Sequence, residues 1–93
     1  MDILKEQMLM SLKTNLGITA QAYDAVLMQC LASAREQIVR EGATDLNETA
    51  SVGDLNLVVN YAAWMWRKRD TMEGMPRMLR WQLNNRVLAV KAN

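Results

Sequence analysis

Apolar residues recur at three- and four-residue spacing along almost the whole chain, most densely from Asp54 to Arg69. Leu55, Val58, Val59, Ala62 and Trp66 share one face there, and Leu57, Tyr61 and Trp64 repeat the spacing on a second. A helix apolar on more than one side is one buried by its neighbours. At ~1.5 Å per residue it spans about 24 Å, enough to cross a small domain. The stretch reads as the central post of a compact helical fold.

Three further helices flank it. The first is predicted over about Asp2–Asn15, with Ile3, Leu4, Met8, Leu9 and Leu12 in one stripe and Asp2 complementing the amino-terminal dipole. Gly17 is placed to stop it in the left-handed conformation. Thr19 then offers an amino-cap for a second helix, about Ala20–Glu41. Its stripe is Tyr23, Val26, Leu27, Cys30, Leu31, Ala34 and Ile38, its opposite face is polar, and Gly42 ends it. Cys30 sits within the stripe, where a small buried apolar residue explains it better than a reactive thiol.

The connection Ala43–Ala50 is polar. Its Asp45, Asn47 and Thr49 fail as a calcium loop, because Ala50 replaces the turn glycine and Asn56 the bidentate glutamate. Ser51 with Asp54 three residues on forms a variant capping box that opens the central helix. After Arg67-Lys68-Arg69, residues Asp70–Pro76 make a turn, with Gly74 supplying freedom and Pro76 a helix start. The last helix, about Pro76–Val90, is lined on one side by Leu79, Leu83, Val87 and Val90, with Met75 leading in. Trp81 and Leu88 lie off that stripe. Trp81 is there either a contact residue or a packed satellite; aromatics and arginines are enriched at binding hot spots. Met8, Met28, Met65 and Met78 are expected to fill the core. The fold class is all-α: a compact bundle of about four helices, with a buried central helix and a final helix after a Met-Pro turn.

Composition narrows the chemistry. The 93 residues make one domain with a small core. There is no histidine and one cysteine, which removes the commonest general base, the commonest metal ligand, any internal disulfide and a structural zinc site. No phosphate-binding glycine loop, nucleophile elbow or HExxH is present. An enzyme is not expected, nor a cofactor. The longest uncharged run, Leu55–Trp66, is too short to cross a bilayer as a helix, so no membrane partner is expected.

Charge is uneven. Residues 1–46 hold four basic against six acidic side chains, a balance of −2. From Arg67 to Lys91 seven basic residues face Asp70 and Glu73, a balance of +5. The carboxyl-terminal part either meets something acidic or is a solvated face with favourable helix-end charges. Trp64, Trp66, Arg67, Lys68, Arg69, Arg77, Arg80 and Trp81 form a basic-aromatic set able in principle to hold phosphates and stack bases.

The order of motifs also resembles a known family. A first short helix ends in Leu16-Gly17-Ile18-Thr19, and a long second helix carries Ala34-Arg35-Glu36-Gln37-Ile38. A central helix contains Asn60 to Asp70 (NYAAWMWRKRD), and Met75-Pro76 starts the final helix. Over nearly its whole length the chain resembles the head–tail connector proteins of tailed bacteriophages, also called head-completion or DNA-packaging adaptors. The resemblance implies a non-enzymatic helical subunit, residues 1–93 forming one connector-like domain. It implies a ring of about a dozen copies beneath the portal protein, extending the channel for packaged DNA and docking a head-closure or tail protein. The location implied is the virion head–tail junction, with assembly in the host cytoplasm. The family supplies no residue-level active site.

Ring closure needs two complementary lateral surfaces, which an acidic first half and a basic last segment would supply. Arg77, Arg80, Trp81 and Arg86 are expected to face the portal or a neighbouring subunit, and Arg67, Lys68 and Arg69 a subunit contact or the DNA channel. The alternative is a small nucleic-acid-binding regulator using the same basic segment. A third possibility is an adaptor that docks a partner helix through its methionines.

Overall fold

The computed structural model describes residues 3–44, 46, 52–68 and 74–92, without the side chains of residues 3–5 and 92. Expectations at Asp2, the side chains of Ile3 and Leu4, Asp45, Asn47, Thr49, the Ser51 cap, Arg69 and residues 70–73 lie outside these residues. Four α-helices are described: α1 (Ile3–Leu16), α2 (Asp24–Glu41), α3 (Val52–Lys68) and α4 (Arg77–Ala92). A 3-10 turn, Gln21–Tyr23, leads into α2. The described residues contain no strand, and the fold is all-α as the periodicity predicts.

α3 is the post. Leu57, Val58, Val59, Tyr61, Ala62 and Ala63 are all buried, and the helix packs against α1, α2 and α4. α2 meets it through Leu27, Leu31, Ala34 and Ile38, α1 through Met8 and Leu12, and α4 through Leu79 and Leu83. The buried connection residues Ala43 and Leu46 close the end of the core between α2 and α3. Among the described residues no helix is long and apolar enough to cross a membrane.

Both predicted glycine stops are present. Gly17 (φ 71°) donates to the Thr14 carbonyl at 3.3 Å while Ile18 donates to Lys13 at 2.9 Å. Gly42 (φ 131°) and Ala43 repeat the pattern on Val39 and Ile38 at 3.1 and 3.3 Å. Each is a Schellman closure that satisfies the last carbonyls of its helix.

The start of α2 differs from expectation. Ala20, not Thr19, is the extended cap of the 3-10 turn, and Tyr23 is the cap of α2 itself; neither makes a side-chain cap hydrogen bond. The chain enters through the 3-10 turn, whose last residue is Tyr23, while Val26 lies within α2, about 100° round the helix from Leu27. Tyr23 is 46% and Val26 50% exposed, and neither joins the core. Met78 is exposed rather than core-filling, because it sits on the side of α4 opposite Leu79 and Leu83. Pro76 sits just before α4 and accepts its first backbone bond, from Arg80 N–H at 3.0 Å.

Candidate interaction surface

α3 packs α4 and α2 on different sides, while the end of α2 also meets α4 at Glu41–Arg80 and Gly42–Val87. Asp54 and Asn60 reach α4, through Arg86 and Gln82. Ala62 and Trp66 meet α2 and its entry turn, through Cys30 Sγ (3.7 Å from the Ala62 carbonyl oxygen) and Tyr23. At 100° per residue these pairs fall on broadly opposite sides of the helix. The molecule measures 41 × 35 × 17 Å, so thin a slab that each flanking helix keeps a full face outward.

The basic residues singled out from sequence have different fates. The Arg86 guanidinium donates to Asp54 at 2.7 and 3.4 Å, with both side chains largely buried. The fold itself employs this arginine: Asp54 serves as the anchor of an α3–α4 ion pair. Arg80 lies 3.6 Å from Glu41, tying α4 to the end of α2 at a half-exposed position. Beside that pair the Tyr61 phenol is pushed above its ordinary range by burial first and by Glu41 next, with Arg80 opposing.

Arg67 reaches across to the end of α1, donating to the Asn15 side-chain oxygen at 2.8 Å and its backbone carbonyl at 3.3 Å. A cation there meets the negative end of the α1 dipole, not only that of its own helix. Lys68 lies 4.3 Å from the centre of the Trp64 ring, a cation–π contact. Arg77 is exposed and makes no ion pair among the described residues. Arg69 lies outside them.

The aromatic set divides in the same way. Trp64 packs edge-on to Tyr61 with ring centres 5.4 Å apart, and its indole N–H donates to the Gly74 carbonyl at 3.2 Å. Trp66 packs edge-on to Tyr23 at 6.1 Å. Both are half-buried. Trp81 is 61% exposed, which decides between the two sequence alternatives against a packed satellite, and it rises from a shallow groove floored by Leu57, Ala89 and the Asp54–Arg86 pair.

The outer face of α4 therefore stands out. Arg77, Trp81, Asn84 and Leu88 follow one another at four- and three-residue spacing, with Met78 beside them, and all are exposed. No acidic residue occurs from residue 74 to the end of the sequence given. Such a face can grip an apolar surface with acids at its edge. A second feature was not visible in the sequence. Between α1 and α2 lies an open apolar groove of about 220 Å³, lined by Met8, Met28, Leu31, Ala32 and Arg35. Met28, Leu31, Ala32 and Arg35 share one face of α2, but Met8 comes from α1, 20 residues before Met28, so helical spacing alone does not announce the groove. Among the described residues no cluster of three or more acids and cysteines could hold a metal ion.

Compared with family models, curated proteins and solved structures, the chain finds no match.

Proposed function

We propose that the chain is a non-enzymatic structural subunit of a tailed-phage head–tail connector. It would assemble as a ring under the portal, extend the DNA channel and dock a head-closure or tail protein. The observation that carries this reading is the outer face of α4, where Met78, Trp81 and Leu88 stand exposed on a helix that has cations and no acid. A slab with two unlike flanks is the shape that head-to-tail closure requires. The resemblance in motif order supports the same reading, and so does the absence of histidine.

The competing regulator reading is weakened by the engagement of its groups. Arg80 and Arg86 are neutralised by Glu41 and Asp54, and Trp64 and Trp66 are packed within the fold. Exposed apolar side chains on α4 also favour a protein surface over a phosphate backbone.

The test is attachment to portal-bearing, DNA-filled heads that lack the connector. Arg77→Glu alone, and together with Arg80→Glu, should keep the helical circular dichroism of the parent and lose attachment. The single variant matters because Arg80 also serves the fold. Normal attachment by the folded variants would sink the assignment of this face.

A further inference from the structure

α4 carries a second stripe. Leu79 and Leu83 are its buried side. On the other side Arg77, Trp81, Asn84, Leu88 and Lys91 follow at spacings of four, three, four and three. That alternation is the seven-residue repeat by which one helix meets another, the side chains of each seated between those of its partner. At 100° per residue, Trp81 points about 160° away from both Leu79 and Leu83. All five residues are exposed, Trp81 by 61% and Leu88 by 58%. The seam has two large apolar side chains with an amide between them. A cation closes either end, the two lying about 21 Å apart at ~1.5 Å per residue.

Charge limits what the seam can face. Neither Arg77 nor Lys91 makes an ion pair among the described residues. Two acids border α4, and both are engaged: Asp54 by Arg86, and Glu41 by Arg80. Glu41 also lines a hollow with Lys91. The four cations Arg77, Arg80, Arg86 and Lys91 against these two acids leave a balance of +2. Two copies of α4 laid seam to seam would set Arg77 on Arg77 and Lys91 on Lys91 when parallel, and Arg77 on Lys91 at both ends when antiparallel. Like charges so juxtaposed suppress a pairing. No other helix of the chain supplies the complement, because no two acids in the sequence lie fourteen residues apart.

We propose that this seam receives one α-helix of another protein, with acids opposite Arg77 and Lys91, apolar side chains against Trp81 and Leu88, and an amide at Asn84. A polar pair within an apolar seam fixes the register of the two helices. Trp81 is the anchor, tryptophan being among the residue types most enriched at binding hot spots. The proposal rests on the docking role given above to the outer face of α4 and names the chemistry of the partner.

Fluorescence anisotropy with the whole chain and two labelled peptides tests it. One peptide is an alanine-rich helix with two glutamates at the spacing of Arg77 and Lys91, leucines at the spacing of Trp81 and Leu88, and asparagine between. The other has lysine for both glutamates. The chain is expected to bind the glutamate peptide about tenfold more tightly than the lysine peptide. Arg77→Glu/Lys91→Glu should reverse that preference, which also shows the variant to be folded. Trp81→Ala should bind the glutamate peptide about tenfold more weakly than the parent does. Equal binding of the two peptides, binding of neither, or a preference that the double variant does not reverse would overturn the acid-ended helix. Parent dimers in sedimentation velocity that Trp81→Ala abolishes would put a second copy on the seam and overturn it too. Attachment to portal-bearing heads separates this failure from that of the connector reading. Loss of attachment by Trp81→Ala without discrimination between peptides would remove the helical partner and leave the docking face. Normal attachment by that variant would remove both.

Discussion

Two glycines end two helices in the same way, yet their replacement should cost different amounts. Gly17 (φ 71°) has open space where a Cβ would stand. Ala there meets only the intrinsic cost of a left-handed residue, about 1 kcal/mol. Gly42 (φ 131°) would place a Cβ 2.8 Å from Val87 Cγ1 and 3.5 Å from Cγ2. Val87 is half-buried on α4, so the close approach is a helix–helix contact and not a local accident. Gly42→Ala should therefore destabilise by about 2–4 kcal/mol, combining backbone strain with an overpacking term of roughly 1–3. Urea unfolding of the two single variants and of Gly42→Ala/Val87→Ala would check it. The double variant should recover part of the Gly42→Ala loss. Equal costs at Gly17 and Gly42 would contradict the role given to Val87.

At the scale of elements, α4 is fastened at its edges as well as by its apolar stripe. Leu79 and Leu83 are buried, Arg80 meets Glu41 on one side, and Arg86 meets Asp54 on the other. The second pair is the stronger fastening, because its side chains are only 14% and 11% exposed against 47% and 39% for the first. Asp54→Ala removes the main partner of a largely buried guanidinium and should cost about 3 kcal/mol. Glu41→Ala should cost less than about 1 kcal/mol. Chemical denaturation measures both, and amide exchange should quicken in α4 before α3 in the Asp54 variant. The elements themselves were legible: the period of α2 and α3, the glycine stops, and the place of Trp81 off the α4 stripe follow from spacing, while whether that tryptophan is exposed or packed as a satellite does not. The fastenings were not. Asp54 is three residues past Ser51 and invites a capping role, whereas its partner Arg86 is 32 residues away. Helical spacing likewise assigned Tyr23 and Val26 to the core: it cannot register that Tyr23 falls in a 3-10 entry turn, and Val26 stands at the edge of a stripe that narrows to Leu27, Leu31, Ala34 and Ile38. Arg67, legible as a charge for its own helix end, also reaches the end of α1, a partner 52 residues away that spacing cannot announce.

At the scale of the whole molecule, the sequence balance of +5 between Arg67 and Lys91 overstates what a polyanion would meet. Two of the seven cations, Arg80 and Arg86, face carboxylates within the fold. Lys91 stands at the far end of α4, fourteen residues or about 21 Å from Arg77 at ~1.5 Å per residue. Three described cations remain near one end, Arg67, Lys68 and Arg77, of which Arg67 and Lys68 are held by Asn15 and Trp64. Binding to free duplex DNA releases counterions in proportion to the phosphates neutralised, with a slope near −0.9 per contact. Three contacts give a slope of about −3 for log affinity against log salt, whereas a regulator using all seven cations would approach about −6. Fluorescence anisotropy with a labelled duplex between low and moderate salt reads the slope directly. A weak interaction with a slope near −3 fits a subunit whose positive flank is shaped for a protein neighbour. A tight complex with a slope steeper than about −5 would mean that the ion pairs to Glu41 and Asp54 open for phosphates. The outer face of α4 would then be a nucleic-acid surface, with Trp81 stacking on bases and not meeting a protein neighbour.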